Sequence, residues 1–133
     1  MTGWTPDELA VLVRTGSLRL TAGDEPGLME VELGMVIVRG ELYVRAYQGP
    51  ESRWFQAAQE TGRGRIRAGA IARDVLLIPA PGPADAIDAA YHAKYGSSSA
   101  LTASPQARAA TLRIDPAGLA SDGTARIELL ARR

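Results

Sequence analysis

Glu30 and Glu32 stand two residues apart in an alternating stretch, so one strand face carries both carboxylates while Met29, Val31, Leu33, Met35 and Ile37 take the other. If the glutamate face lines a barrel cavity, desolvation raises both pKa values and fits them for general acid–base work, with Tyr43 or Tyr47 as nearby donors. Glu30, Glu32 and Tyr43 are therefore the candidate catalytic residues. Their chemistry would be cyclisation, dehydration or isomerisation of a largely apolar small molecule. The plainer alternative turns both glutamates to solvent.

Arginine supplies the second kind of chemistry. Residues 1–38 hold two basic and six acidic side chains, whereas residues 39–73 hold seven basic and three acidic ones. Arg45, Arg53, Arg63, Arg65, Arg67 and Arg73 can thus build a basic cleft for phosphate or carboxylate. They can equally pair with Glu30, Glu32 and Glu41 across neighbouring strands. Trp54 either lines a ring pocket or anchors a helix on the core. His92, a residue type that can shuttle protons, lies roughly 100° round its helix from Tyr91, which turns it towards solvent. Tyr91, Lys94 and Tyr95 form a cluster at helical spacing that serves either packing or a dimer contact.

The composition excludes several classes. There is no cysteine, so disulfides, thiolate catalysis and thiolate metal centres are ruled out, and one histidine cannot make a His-rich metal site. Net charge is zero, aromatic residues are 5%, and no nucleic-acid motif stands out, so nucleic acid is not the expected partner. No apolar run reaches the roughly 18–20 residues of a membrane span, and the N-terminus carries neither a basic cluster nor an apolar export segment. A cytoplasmic protein is expected.

The elements that must position these groups are legible in outline. Thr5-Pro6-Asp7-Glu8 reads as a capping box with proline at the first helical position, predicting a helix over residues 5–15. A short strand follows over Ser17–Thr21 and ends at Ala22-Gly23, then a loop over residues 23–28, then one long strand from Met29 to Val38. Arg39-Gly40 turns it back through Glu41–Tyr47 as a hairpin. Trp54, Phe55 and Ala58 predict a helix over about residues 51–61. Gly62–Ala68 and Ala70–Ile78 form a second hairpin about Gly69. A third helix runs Ala84–Tyr95 and stops at Gly96. Ser97–Ser104 reads as a lid, Gln106–Ala109 as a helical turn, and Ala110–Ile114 as a strand. A further strand is open at Ala125–Leu130. Residues 1–116 are expected to make one domain, with residues 117–133 a C-terminal extension. The sum is a mainly β (α+β) fold, a small split β-barrel of about six strands with three short helices.

Five segments in order carry a resemblance: Val36–Arg45, Trp54-Phe55, Gly62–Gly69 with Arg73-Asp74-Val75, Asp88–Gly96, and Ala110–Ile114. Together they resemble the bacterial family catalogued as domain of unknown function 2255, over about residues 5–116. That family looks like a relative of split β-barrel proteins that bind flavin or deazaflavin, including deazaflavin-dependent nitroreductases. The resemblance implies a six-stranded split barrel, a homodimer with ligand sites at the subunit interface, and no defined reaction. In it Arg45, Arg53, Arg65 and Arg67 would hold phosphates and Trp54 or Tyr43 would line the ring, so the four arginines and Trp54 are the candidate cofactor-binding residues for riboflavin phosphate or deazaflavin. The loop Ala22–Gly27 departs from the pattern. Asp24 and Glu25 stand where those relatives carry a basic, glycine-rich phosphate loop, and they oppose an anion there.

Three readings follow. The first is a flavin- or deazaflavin-dependent oxidoreductase. The second is a cofactor-free cyclase, isomerase or dehydratase using the barrel carboxylates. The third is a non-catalytic module that binds a small molecule.

Overall fold

The computed structural model describes residues 3–23, 30–47, 49–80, 82–96 and 103–117. Their chain order is α1 (Pro6–Arg14), β1 (Leu18–Ala22), β2 (Glu30–Leu33), β3 (Val36–Val38), β4 (Glu41–Arg45), α2 (Arg53–Thr61), β5 (Arg63–Ala68), β6 (Ile71–Pro79), α3 (Ala84–Tyr95), α4 (Pro105–Ala109) and β7 (Thr111–Pro116). All strand pairs are antiparallel, in one sheet of order β2-β1-β5-β6-β7-β4-β3.

That order forces curvature. Laid flat, seven strands at about 4.8 Å spacing would hold their edges roughly 29 Å apart. The edges here are β2 and β3, which Gly34-Met35 alone connects, and the step from Leu33 to Val36 covers at most roughly 11 Å. The sheet therefore curls into a barrel that is split between β2 and β3. The single strand expected over residues 29–38 is two strands on opposite edges, which brings the count to seven.

The broken corner is held from outside by α3. The Tyr95 hydroxyl accepts from Met35 N–H at 2.8 Å, and its one proton has the carbonyls of Gly16 and Met35 within reach at 2.8 and 3.0 Å. Lys94 Nζ donates to the Met35 carbonyl at 2.9 Å, and Tyr91 Oη to that of Gly34 at 3.2 Å. Backbone groups that leave the ladder thus find partners on one helix face, as buried peptide groups require. A Cβ at Gly34 would stand 3.2 Å from the Tyr95 ring, so glycine lets the ring close over the corner. Within the described residues, the cluster serves packing.

The alternation survives the break. Leu33 and Met35 are buried in the main core, with Val31 and Ile37 packed against it, while Val36 and Val38 join Tyr43, Ile87 and Tyr91 in a second core under α3. Phe55 and Ala58 of α2 enter the main core beside Leu18, Leu20 and Ile66, which are fully buried. Burying such side chains stabilises by about 1.5–3 kcal/mol each before entropy is subtracted. Trp4 locks the N-terminal segment onto β7, its indole Nε1 donating to the Ile114 carbonyl at 3.0 Å. The Thr5–Glu8 capping box forms as the sequence predicts. No described helix is long and apolar enough to cross a membrane. The Asp24-Glu25 loop, most of the Ser97–Ser104 segment, the Ala125–Leu130 strand and the extension from residue 118 onward lie outside the described residues.

Candidate functional site

Strand β5 is built from alternation. Gly64, Ile66 and Ala68 point inward while Arg63, Arg65 and Arg67 stand exposed on the outer face. Register sets their neighbours: Glu30, Thr21, Arg65 and Asp74 form one cross-strand row, and Glu32, Arg19 and Arg67 the next. Arg67 grips Glu30 through Nε and Nη2, both at 3.0 Å, and Arg65 Nη1 meets Asp74 at 2.8 Å. Glu32 accepts from the Ser17 hydroxyl at 2.6 Å.

These contacts correct the carboxylate expectation. Glu30 and Glu32 lie on the exposed outer face instead of lining a barrel cavity. The hydrogen bond from Arg67 outweighs desolvation and holds the Glu30 carboxyl below its ordinary value, so it is kept ionised. Tyr43 sits apart from both, buried under α3 with a Cβ position at Gly82 only 2.8 Å from its ring. Burial, then the nearby Glu41 charge, pushes its phenol pKa up. The three candidate catalytic residues are not brought together.

Arg45 also departs from its expected role. Its side chain is wholly buried, ion-paired to Asp88, with Nε 3.1 Å from Thr111 Oγ1 and Nη2 3.3 Å from the Ala84 carbonyl. Asp88 is shared with Arg108. Burial raises the Asp88 pKa, but hydrogen bonds from Arg45 and Arg108 and their charges outweigh it, and the carboxyl is lowered. Arg45 therefore rivets α3 to β4 and β7 instead of facing a ligand. Arg73 is likewise engaged, 2.8 Å from Glu8 and over the Trp4 ring. His92 is exposed, as its helix angle predicts.

Two concave regions receive the remaining candidates. A groove of about 470 Å³ runs over β1, β5 and β6, lined by Thr21, Gly23, Arg63, Gly64, Arg65, Asp74, Val75, Leu76 and Ala117. Its floor is backbone brought unusually close, since a Cβ on Gly64 would fall 2.2 Å from the Thr21 carbonyl oxygen. Leu76, 42% exposed, is an apolar wall opposite the arginines. A smaller groove of about 190 Å³ lies at the split, lined in part by Glu32, Arg45, Tyr47, Ser52 and Trp54. Trp54 is half-buried there, edge-on to Phe55 at 5.9 Å, which makes it a core anchor as well as a wall. Arg53 opens α2, exposed, and lines neither groove. No group of described residues gathers His, Asp or Glu side chains as a metal site.

A family model described as "Uncharacterized protein conserved in bacteria (DUF2255)" matches residues 8–114, from α1 through β7. The chain belongs to this family. Among solved structures, the crystal structure of conserved hypothetical protein Rv2991 from Mycobacterium tuberculosis is similar, with a TM-score of 0.55 and 11% identity over 85% of this chain and 79% of that one. At that identity the likeness is one of fold. No curated protein matches. The matched span of this DUF2255 chain contains the whole β1–β5–β6 face except Ala117 at the groove's end. Thr21, Gly23, Gly64, Asp74 and Leu76 were not among the sequence candidates. Only strand register collects them, although the Arg63–Arg67 alternation marked the strand.

Proposed function

We propose that this DUF2255 protein binds a phosphate-bearing small molecule of the flavin or deazaflavin type in the groove over β1, β5 and β6. One observation carries the reading: two exposed arginines, Arg63 and Arg65, border a glycine-floored groove that the exposed apolar side chain of Leu76 walls beside Asp74. Its volume falls within the roughly 300–1,000 Å³ of small-molecule sites. Guanidinium groups suit phosphate because their forked donors match its oxygens. Arg65 exchanges the Asp74 carboxylate for the phosphate, and an exposed pair of this kind is exchanged at small cost.

The ring would lie against the exposed Leu76 side chain and the Gly64 backbone, not against Trp54 or Tyr43, which stand elsewhere. Bound there, a flavin or deazaflavin supplies hydride transfer, and the chain contributes orientation and phosphate binding. In the same reading the protein is a cytoplasmic homodimer, which sedimentation velocity checks. Fluorescence titration of the full chain with riboflavin phosphate and with the deazaflavin cofactor tests the reading. Saturable micromolar binding supports it, and turnover with a reductant then separates an oxidoreductase from a ligand-binding module. No binding to either ligand by folded protein removes it.

A further inference from the structure

Lys94 is the only lysine in a chain with fourteen arginines. Its surroundings differ from theirs. Arg19, Arg45, Arg65, Arg67, Arg73, Arg108 and Arg113 each contact a carboxylate, whereas among the described residues none is in salt-bridge contact with Lys94. Its ammonium donates to the Met35 carbonyl, lies 3.8 Å from Met35 Sδ, and stands 5.4 Å from the centre of the Tyr95 ring. Burial lowers its pKa. An ammonium has three donors, and among the described residues one carbonyl and a weakly accepting thioether take them, which leaves donor capacity at the groove.

This cation borders an open groove of about 340 Å³ between α1, β3 and α3. The other lining residues, Val13, Val36, Ile37, Ala90 and Ala93, are all apolar. Ala90 and Lys94 are four residues apart on α3 and so share a face, and the two alanines leave room along the helix. Val13 is 57% exposed, an apolar side chain at the outer lip. The site shares no residue with the groove over β1, β5 and β6.

We infer that this groove binds a small amphiphile with an apolar body and a carboxylate head, the body on Val13, Ile37, Ala90 and Ala93 and the carboxylate on Lys94 Nζ. Charge complementarity selects the head: a carboxylate supplies the counter-ion that no described residue does, and a charge-assisted hydrogen bond outweighs a neutral one. An alcohol of equal length gains only the apolar contact, and an amine adds like-charge repulsion.

Calorimetric titration of the full-length protein with decanoate, decanol and decylamine, each below its aggregation limit, tests this. Decanoate should bind about tenfold or more tightly than decanol, with decylamine weakest. Lys94→Met should bring decanoate down to the decanol affinity, and circular dichroism checks that the variant is folded. Equal affinity of wild-type protein for decanoate and decanol overturns the assignment, as does the absence of saturable decanoate binding. The wild-type series decides the matter even where the variant fails to fold.

Discussion

Arg45 and Arg65 sit at outward positions of the same sheet and have opposite fates. Arg45 lies where α3 covers the sheet, so its guanidinium is sealed from water and spent on Asp88, Thr111 and the Ala84 carbonyl. Arg65 lies where no described helix covers it, its side chain 55% exposed and its partner Asp74 73% exposed. Strand alternation assigns both to one face, but helix cover decides which is a rivet and which is free to meet a ligand. A buried charge that loses its partner costs several kcal/mol, while an exposed pair contributes little.

The largest effect should follow from breaking the rivet. Arg45→Ala leaves Asp88 and Thr111 short of a partner and opens a void under α3, and urea unfolding should show a loss of about 3 kcal/mol. Gly64→Ala comes next, because its Cβ meets the Thr21 carbonyl and must push β1 from β5. About 2 kcal/mol of destabilisation is expected in the same assay. Tyr95→Phe removes the acceptor of the Met35 N–H and should cost about 1.5 kcal/mol, a smaller loss confined to the barrel corner.

Acid sharpens the contrast further. Asp88 has a folded pKa below its ordinary 3.8, so its ion pairs contribute stability that is fully present above that value and is lost as pH falls through the folded one. Denaturation midpoints should fall below about pH 4, and Asp88→Asn should flatten that slope. At the small end, Glu30→Gln on the open face should leave the thermal midpoint unchanged, within repeat error, because its partners stay solvated.

Much of the fold is legible in sequence because it is written locally. The capping box at Thr5–Glu8, the Arg39-Gly40 turn and the alternation of β5 are short-range devices, and helix α3 keeps its expected limits of Ala84 and Tyr95. The split at Gly34-Met35 is not local. Parity runs through it unbroken, so nothing in the pattern announces that β2 and β3 pair with opposite ends of the sheet. The hydroxyl and amine that hold the corner lie some sixty positions on, at Tyr95 and Lys94. The site divides in the same way. Arg65 and Arg67 are read from alternation, but the burial of Arg45 depends on a helix contact 43 residues away. Glu30 and Glu32 are correctly placed on one face, and only the register with Arg19 and Arg67 shows that this face is solvated and paired.

The contrast between covered and open arginines meets its most direct test in a riboflavin phosphate titration of the wild-type protein, Arg65→Ala and Arg53→Ala. The groove over β1, β5 and β6 predicts saturable binding that Arg65→Ala weakens several-fold and Arg53→Ala leaves unchanged. Equal affinity in all three proteins, or loss in Arg53→Ala alone, would contradict it.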